Sequence, residues 1–299
     1  MELVSVVVTC YNKEKYIAET IESVLQQSHE NFELIIINDG STDNSSKIIK
    51  SFNDSRLKLI ELNNSGVNVA RNIGILASKG TKLAFLDGDD IWHQHKIESQ
   101  LKYMTNNDLD MCFCDYDTID DTGQINHSFV KINFPYFNYE KLKNKILGGN
   151  VILGSASSVI FNKEIIDKIG LFDEELKWGE DWEYWMRIVI FTDKIGFLEK
   201  QLTFLRFGIN QVQTTLNKKK RYSDSLYILK KALRSYKLTQ KEKSLVYIAL
   251  CKIHYSYGTD WCNFFTAYIK ALNSNYRFIT RFDIFYLLIK LSIKKILFK

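Results

Sequence analysis

The 299-residue chain is 45% hydrophobic and 25% charged, a globular composition that excludes disordered and fibrous classes. Its length suits one large domain with an appendage, or two domains, with enough chain for a sizeable core. The net charge of +5 is unevenly divided: residues 1–215 hold 22 Lys and Arg against 31 Asp and Glu, a net of −9, and residues 216–299 hold 18 against 4, a net of +14. That asymmetry predicts two modules, the basic one facing an anionic partner. Met1-Glu2-Leu3-Val4 lacks a basic flank and runs directly into a strand-like stretch, so no secretory signal is expected. No uninterrupted apolar span is long enough to cross a bilayer. Five cysteines (Cys10, Cys112, Cys114, Cys251 and Cys262) are too few, odd in number and too irregularly spaced for a disulfide framework, which makes a reducing cytoplasm the default expectation. Cys112 and Cys114 alternate in a strand-like run and read as one buried face rather than a metal site.

In chain order, residues 3–9 are β-branched and nearly all apolar, the pattern of a strand covered on both faces. After the polar turn Cys10-Tyr11-Asn12-Lys13, Ile17, Ile21, Val24 and Leu25 recur at helical spacing over roughly residues 14–27. A second buried run, Phe32 to Ile37, ends at Asn38-Asp39-Gly40-Ser41-Thr42-Asp43 and predicts a helix over Ser45–Phe52. Leu57–Ile60 reads as a third strand, Ala70–Ser78 as a helix and Lys82–Leu86 as a fourth strand. This alternation with short connections predicts a mainly parallel sheet with helices on both faces. Ligands collect beyond the carboxyl ends of such strands. The turns at Thr9–Asn12, Asn38–Asp43 and Asp87–Asp90 all fall there.

Beyond Trp92 the pattern predicts a helix over His93–Met104 and a strand near Asp110–Tyr116. Residues 120–150 are irregular and aromatic and hold the chain's single proline, Pro135; an acceptor-side lid and a plain surface excursion are both open. Gly154–Phe161 returns to small and β-branched residues. Trp178-Gly179-Glu180-Asp181-Trp182-Glu183-Tyr184-Trp185 opens a helix through Val189, followed by a strand and turn over Phe197–Phe207. From Leu216 onward the chain is helical, basic and aromatic. The expected division is therefore one α/β domain over 1–215, with a change of pattern near residue 92, and a helical extension over 216–299.

Two stretches carry chemistry. In Ala84-Phe85-Leu86-Asp87-Gly88-Asp89-Asp90, an apolar run meets three carboxylates around one glycine. Such carboxylates repel one another, and a divalent cation carrying a phosphate would compensate them, though a solvated acidic turn has the same composition. Gly88 is expected to let the backbone turn so that Asp87 and Asp89 point to one side. In Glu180-Asp181, two adjacent acids sit inside an aromatic shell, a setting that tunes a carboxylate pKa; acids capping the following helix are the alternative.

With these residues in place, 1–215 resembles the family-2 inverting glycosyltransferases of GT-A fold. The resemblance rests on Ser5 through Asn12, Asn38 through Asp43, Ala70-Arg71-Asn72-Ile73-Gly74, Asp87-Gly88-Asp89-Asp90 and Gly179-Glu180-Asp181, in that order. It implies a GT-A domain, a Rossmann-like mixed and mainly parallel sheet. It also implies that Thr9, Tyr11, Asn12, Asp39, Arg71, Asp87, Gly88 and Arg206 bind a nucleotide sugar, with Asp39 accepting from the imide N–H of uracil. Arg71 would face the uracil carbonyl or the diphosphate, with pairing to a nearby carboxylate as the alternative. Asp89 would bind Mn²⁺ or Mg²⁺ at the diphosphate. Asp181 would be the general base, Glu180 its competitor, and Trp178 and Trp182 would stack on acceptor sugars, with Trp182 and Trp185, three apart, as core residues the alternative.

The chain departs from the family pattern at Val8, where a proline is common, and in Leu205–Gln211, which lacks the late histidine. Arg206 or a water must then stand in for that histidine, or metal dependence is weaker. The Gln-x-x-Arg-Trp segment of processive synthases is absent, which favours single sugar addition. In the tail, Phe285, Ile289, Ile293 and Ile296 share a helical face away from Lys290 and Lys294, as in a helix lying on an anionic membrane or packing on the catalytic domain. The same charge suits nucleic acid, but no nucleic-acid motif accompanies it.

The expected function is transfer of one sugar from a nucleotide sugar, a UDP-sugar, to a hydroxyl of a glycan acceptor, lipid-linked, in bacterial surface polysaccharide synthesis. The enzyme would be cytoplasmic or peripheral on the inner face of the membrane. The alternative is a catalytically silent nucleotide-sugar-binding or scaffolding protein on the same fold. A nucleotidyltransferase would want a glycine-rich basic loop after the first strand, which Tyr11-Asn12-Lys13-Glu14 is not.

Overall fold

The computed structural model describes residues 2–125, 137–152, 156–207, 217–257 and 261–274. The chain forms two compact units, one of residues 1–143 and 150–216, the other of 144–149 and 217–299.

The first unit is built on one eight-stranded sheet. Its strands are β1 (Val4–Cys10), β2 (Phe32–Asn38), β3 (Leu57–Glu61), β4 (Lys82–Asp87), β5 (Ile91–Trp92), β6 (Met111–Ile119), β7 (Val159–Asn162) and β8 (Ile195–Arg206). The helices of the chain as far as β8 are α1 (Ile17–Leu25), α2 (Ser45–Ser51), α3 (Val67–Ala77), α4 (Lys96–Asn106), α5 (Tyr139–Ile146), α6 (Ile166–Ile169) and α7 (Glu180–Phe191). The strand order is β3-β2-β1-β4-β7-β6-β8-β5. β1 pairs in parallel with β2 and β4, β2 with β3, and β6 with β8, while β7 and β5 run antiparallel to their neighbours. The expected mainly parallel sheet is therefore present, with two short reversed strands.

Val4, Val6, Val7 and Val8 are fully buried on β1, as are Leu34 through Ile37 on β2, which accounts for their continuous apolar runs. Ile17, Ile21 and Val24 bring one stripe of α1 into the core with Val6, Val8, Ile36 and Leu86. On β6, Cys112 and Cys114 are both buried, and burial pushes the Cys112 thiol up to about 12, so it is inert.

The start of α3 and the existence of β5 depart from the sequence expectation for physical reasons. α3 starts at Val67 rather than Ala70, because the Asp39 carboxylate accepts from the Ser65 and Gly66 amides and holds the chain at the helix start. β5 is only two residues long, below any readable period, and exists because Ile91 and Trp92 pair with Phe204 and Thr203 of β8. β1 lies between β2 and β4, so the chain switches direction of winding there, and the carboxyl ends of β1, β2 and β4 lie side by side.

The second unit contains α8 (Lys218–Ser235), α9 (Gln240–Ser256) and α10 (Trp261–Ser274). Asn217 caps α8, and Thr239 with Glu242 forms a capping box on α9. Ile228, Leu229, Val246, Leu250, Phe264 and Ala271 are buried, and Tyr222 Oη meets His254 Nδ1 at 2.9 Å. The amphipathic stretch of Phe285, Ile289, Ile293 and Ile296 lies outside the described residues, as do Pro135 and Gly208–Gln211. Among the described residues no helix is long and apolar enough to cross a membrane.

Candidate active site

At the carboxyl ends of β1, β2 and β4 lies a cavity of 950 Å³. All thirteen residues singled out from the sequence line it: Thr9, Tyr11, Asn12, Asp39, Arg71, Asp87, Gly88, Asp89, Trp178, Glu180, Asp181, Trp182 and Arg206. Lys13, Tyr16, Lys177 and Asn150, which the sequence reading passed over, line it too.

One wall is the first turn. Tyr11 is 43% exposed at the rim, its ring open to a planar partner. Asn12 has a left-handed backbone with φ of 53°. Its Oδ1 accepts from the Thr42 amide at 2.8 Å and its own amide donates to Ser41 Oγ, so this turn and the one after β2 are one unit. Asp39 is buried, and its two oxygens each take one backbone N–H, at 2.6 Å from Ser65 and 2.8 Å from Gly66. A carboxylate offers about four lone-pair sites, so capacity for a further donor remains.

The acidic turn forms the floor. Gly88 donates its amide to the Thr9 carbonyl at 2.9 Å, and a Cβ at Gly88 would lie 2.8 Å from that same oxygen. The glycine is thus required by close approach of β4 to β1, a reason additional to the turn, which the Asp90 amide closes on the Asp87 carbonyl at 3.0 Å. Thr9 Oγ1 donates to Asp87 Oδ1 at 3.4 Å, a long contact. Asp89 takes the Lys13 ammonium on Oδ2. Asp90 points away into the protein: its Oδ2 accepts from Ser157 Oγ at 2.6 Å and its Oδ1 from the Arg206 amide at 3.0 Å. Burial, then Asp89 and Asp87, push its carboxyl well above the usual range. Asp90 fastens the acidic turn to the end of β8.

Arg206, 2% exposed, does the same from the other side. Its Nε donates to the Asp89 carbonyl at 3.0 Å, Nη1 to the Asp120 carbonyl at 2.7 Å and Nη2 to Glu19 Oε2 at 2.6 Å, with the guanidinium 4.6 Å over the Tyr16 ring. Its position holds the backbone of the acidic turn, a role the sequence expectation of ligand binding did not include.

Arg71, also 2% exposed, joins the two motifs. Nη2 donates to Asp87 Oδ1 at 3.0 Å and Nη1 to Glu180 Oε1 at 3.2 Å. Carboxylate pairing, the alternative in the sequence reading, is what the apo geometry shows, with Arg71 still on the cavity wall. Gly179 precedes α7 with φ of 73°, a left-handed conformation that swings Glu180 and Asp181 into the first turn of the helix.

Asp181 Oδ1 accepts from the Trp182 amide at 2.7 Å, and Oδ2 from Asn150 Nδ2 at 2.9 Å. Burial, reinforced by the neighbouring Glu180 carboxylate and opposed by Arg71, raises the Asp181 pKa to about 7. A helix N-terminus alone would lower it; burial wins. Trp182 is 3% exposed and Trp178 half-buried, their ring centroids 6.4 Å apart in an edge-to-face pair. Trp178 therefore offers more ring to the cavity than Trp182.

Residues 5–170 match the model for glycosyl transferase family 2. The chain belongs to that family. An uncharacterized glycosyltransferase from Rickettsia bellii is 34% identical over 225 residues, 75% of this chain and 31% of the relative. The chain thus spans about a third of that relative's length. TuaG of Bacillus subtilis, whose name assigns it to teichuronic acid biosynthesis, is 37% identical over 149 residues, 49% of this chain and 59% of its own. Among solved structures, Staphylococcus aureus TarS in complex with UDP-GlcNAc superposes with a TM-score of 0.70 at 20% identity, covering 92% of this chain and 81% of that one. A mannosyltransferase from Pyrobaculum calidifontis in complex with GDP-Man and Mn²⁺ superposes with a TM-score of 0.61 at 14% identity, covering 98% and 80%. These likenesses establish the GT-A fold of the family-2 domain.

Within this family-2 domain, the fit of a divalent metal is testable on the donor set. Asp89 bears a cation, Lys13, on the oxygen expected to bind metal, so the position suits positive charge. Among the described residues no group of three or more His, Cys, Asp or Glu side chains is placed to hold an ion. The carboxylates therefore fit a metal shared with a diphosphate, not one caged by protein.

Proposed function

We propose that this chain is an inverting glycosyltransferase that moves a single sugar from a UDP-sugar to a hydroxyl of a glycan acceptor. The observation that carries this reading is the placement of the Asp181 carboxyl on the same cavity as the acidic turn, with the adjacent Glu180 tied to that turn through Arg71; burial raises the Asp181 pKa to about 7. A base with a pKa near the working pH is half deprotonated and still basic enough to accept a proton in the transition state. Glu180 is committed to the Arg71 ion pair, whereas among the described residues the hydrogen-bond donors to Asp181 are the neutral amides of Asn150 and Trp182, which supports Asp181 as the base.

In this reading Tyr11 and Asp39 receive the nucleobase, and Thr9, Asn12, Asp87 and Arg71 line the ribose and diphosphate. Asp181 takes the proton of the acceptor hydroxyl as that oxygen bonds to the anomeric carbon. The bond from that carbon to the diphosphate oxygen breaks on the opposite face, and the electron pair leaves with UDP. One displacement inverts the centre. A divalent cation arriving with the diphosphate, held by Asp89, would offset the charge that develops on the leaving group. Trp178 would receive an acceptor sugar face.

The acceptor is proposed to be a lipid-linked glycan of a bacterial surface polysaccharide. TuaG's name and the basic balance of residues 216–299, which suits an anionic membrane surface, support that choice. UDP is favoured by the imide-compatible Asp39 and by the TarS likeness.

Thermal unfolding with UDP, GDP, CDP and dTDP, each with Mn²⁺ or with EDTA, tests the donor assignment. UDP with Mn²⁺ is expected to raise the midpoint in wild type and not in Asp89→Ala. A response to GDP or CDP alone overturns the uracil assignment. Absence of response to every nucleotide, or sugar transfer that survives Asp181→Asn, overturns the reading as an enzyme of this mechanism.

A further inference from the structure

Lys13 sits in the turn after β1, and its backbone is fixed independently of its side chain. Its amide donates to Ser45 Oγ at 2.8 Å, and the preceding Asn12 is locked to Ser41 and Thr42. From that fixed position the side chain crosses to the acidic turn and places its ammonium on Asp89 Oδ2. Asp87 and Asp90 add to the negative field there. The two partners differ in exposure: the Lys13 side chain is 27% exposed and that of Asp89 6%. The ammonium can withdraw into water along a flexible stem, while the main chain of Asp89 is held at its carbonyl by Arg206 and its short side chain cannot follow. A buried carboxylate deprived of its counter-ion is costly, which favours a cation at this position.

We propose that Lys13 is the resident counter-cation of the acidic turn and competes with the divalent metal for Asp89. The metal displaces it only when a nucleotide diphosphate supplies further oxygen ligands. This inference rests on the donor-site reading above. It gives Asp89 a counter-cation beside the Arg71–Asp87 pair, and it implies that uptake of metal is coupled to uptake of nucleotide. It also assigns a cation on the diphosphate side in a chain whose late segment lacks a histidine.

The test is a Mn²⁺ titration of the thermal midpoint at fixed UDP, in wild type, Lys13→Met, Lys13→Gln and Lys13→Arg. Removing the competitor in K13M or K13Q is expected to lower the half-saturating Mn²⁺ about fivefold, the fold-change set by the upper end for part-exposed ion pairs. K13R keeps the charge and is expected to stay near wild type. Without UDP or metal, K13M and K13Q are expected to unfold at lower temperature than wild type, because Asp89 has lost its counter-ion. A wild-type UDP–Mn²⁺ shift with unchanged or increased Mn²⁺ demand in both neutral variants overturns the Lys13 proposal alone. Absence of any nucleotide shift in wild type overturns the donor-site reading and this proposal with it.

Discussion

The side-chain amide of Asn150 donates to Oδ2 of Asp181 across 2.9 Å. Its own oxygen accepts from the Ile152 amide at 3.1 Å, which fixes the orientation of the amide. Asn150 is thus a positioning residue for the proposed base. Asn150→Ala is expected to lower kcat about tenfold with the UDP thermal shift intact. Losing a donor to the charged form also raises the Asp181 pKa, so the acidic limb of the pH–rate profile moves to higher pH. Unchanged pH dependence in N150A would reduce the contact to a structural one.

Asp181→Asn is expected to lower transfer by about 10²- to 10⁴-fold, the range for loss of a positioned general base, without weakening UDP. In wild type, activity should rise with pH through about 7 as Asp181 deprotonates. The same carboxyl makes a stability prediction. Its folded pKa lies above its unfolded value, so the folded state holds the extra proton between about 4 and 7 and stability falls as pH rises across that window. D181N removes this dependence and should gain most over wild type at pH 8 and least near pH 4. Equal Tm differences at both values would contradict the assignment.

Arg71→Met leaves Asp87 and Glu180 facing each other without their shared cation. A loss of about 2 kcal/mol in unfolding free energy is expected, discounted from the fully buried case because both carboxylates are partly wet. Arg71 also holds the Asp181 pKa down, so R71M should shift the acidic limb of the rate profile upward. Chemical denaturation and a pH–rate series check the two effects separately.

Gly88→Ala forces a methyl group against the Thr9 carbonyl, a backbone atom that cannot move aside. The expected cost is about 2 kcal/mol from separating β4 from β1, together with weaker UDP binding because Asp87 and Asp89 shift with the strand. A wild-type Tm in G88A would show that the turn relaxes.

The first half of the sheet is readable because β1, β2 and β4 are buried on both faces and written as continuous apolar runs broken by polar turns. The ordered motifs, with the flanking Trp178 and Trp182 and the late Arg206, name thirteen residues, and all thirteen line one cavity. β5 was not readable, since two residues carry no period and their pairing with β8 is non-local. Asn150 carried no signal either, lying in an irregular stretch next to two glycines.

The sequence by itself determined the alternation of elements, the acidic and basic motifs and the family they belong to, because burial and turn chemistry are local and leave periodic marks. Tertiary structure alone decided which charge answers which. Arg71 was expected on the nucleotide and is paired with Asp87 and Glu180; Arg206 was expected as a ligand contact and holds the Asp89 carbonyl. Lys13 was read as part of a polar turn and covers Asp89. The reason is physical: a guanidinium or ammonium reaches several ångströms from its backbone, and its partner is chosen by desolvation and distance between segments that only the folded sheet brings together.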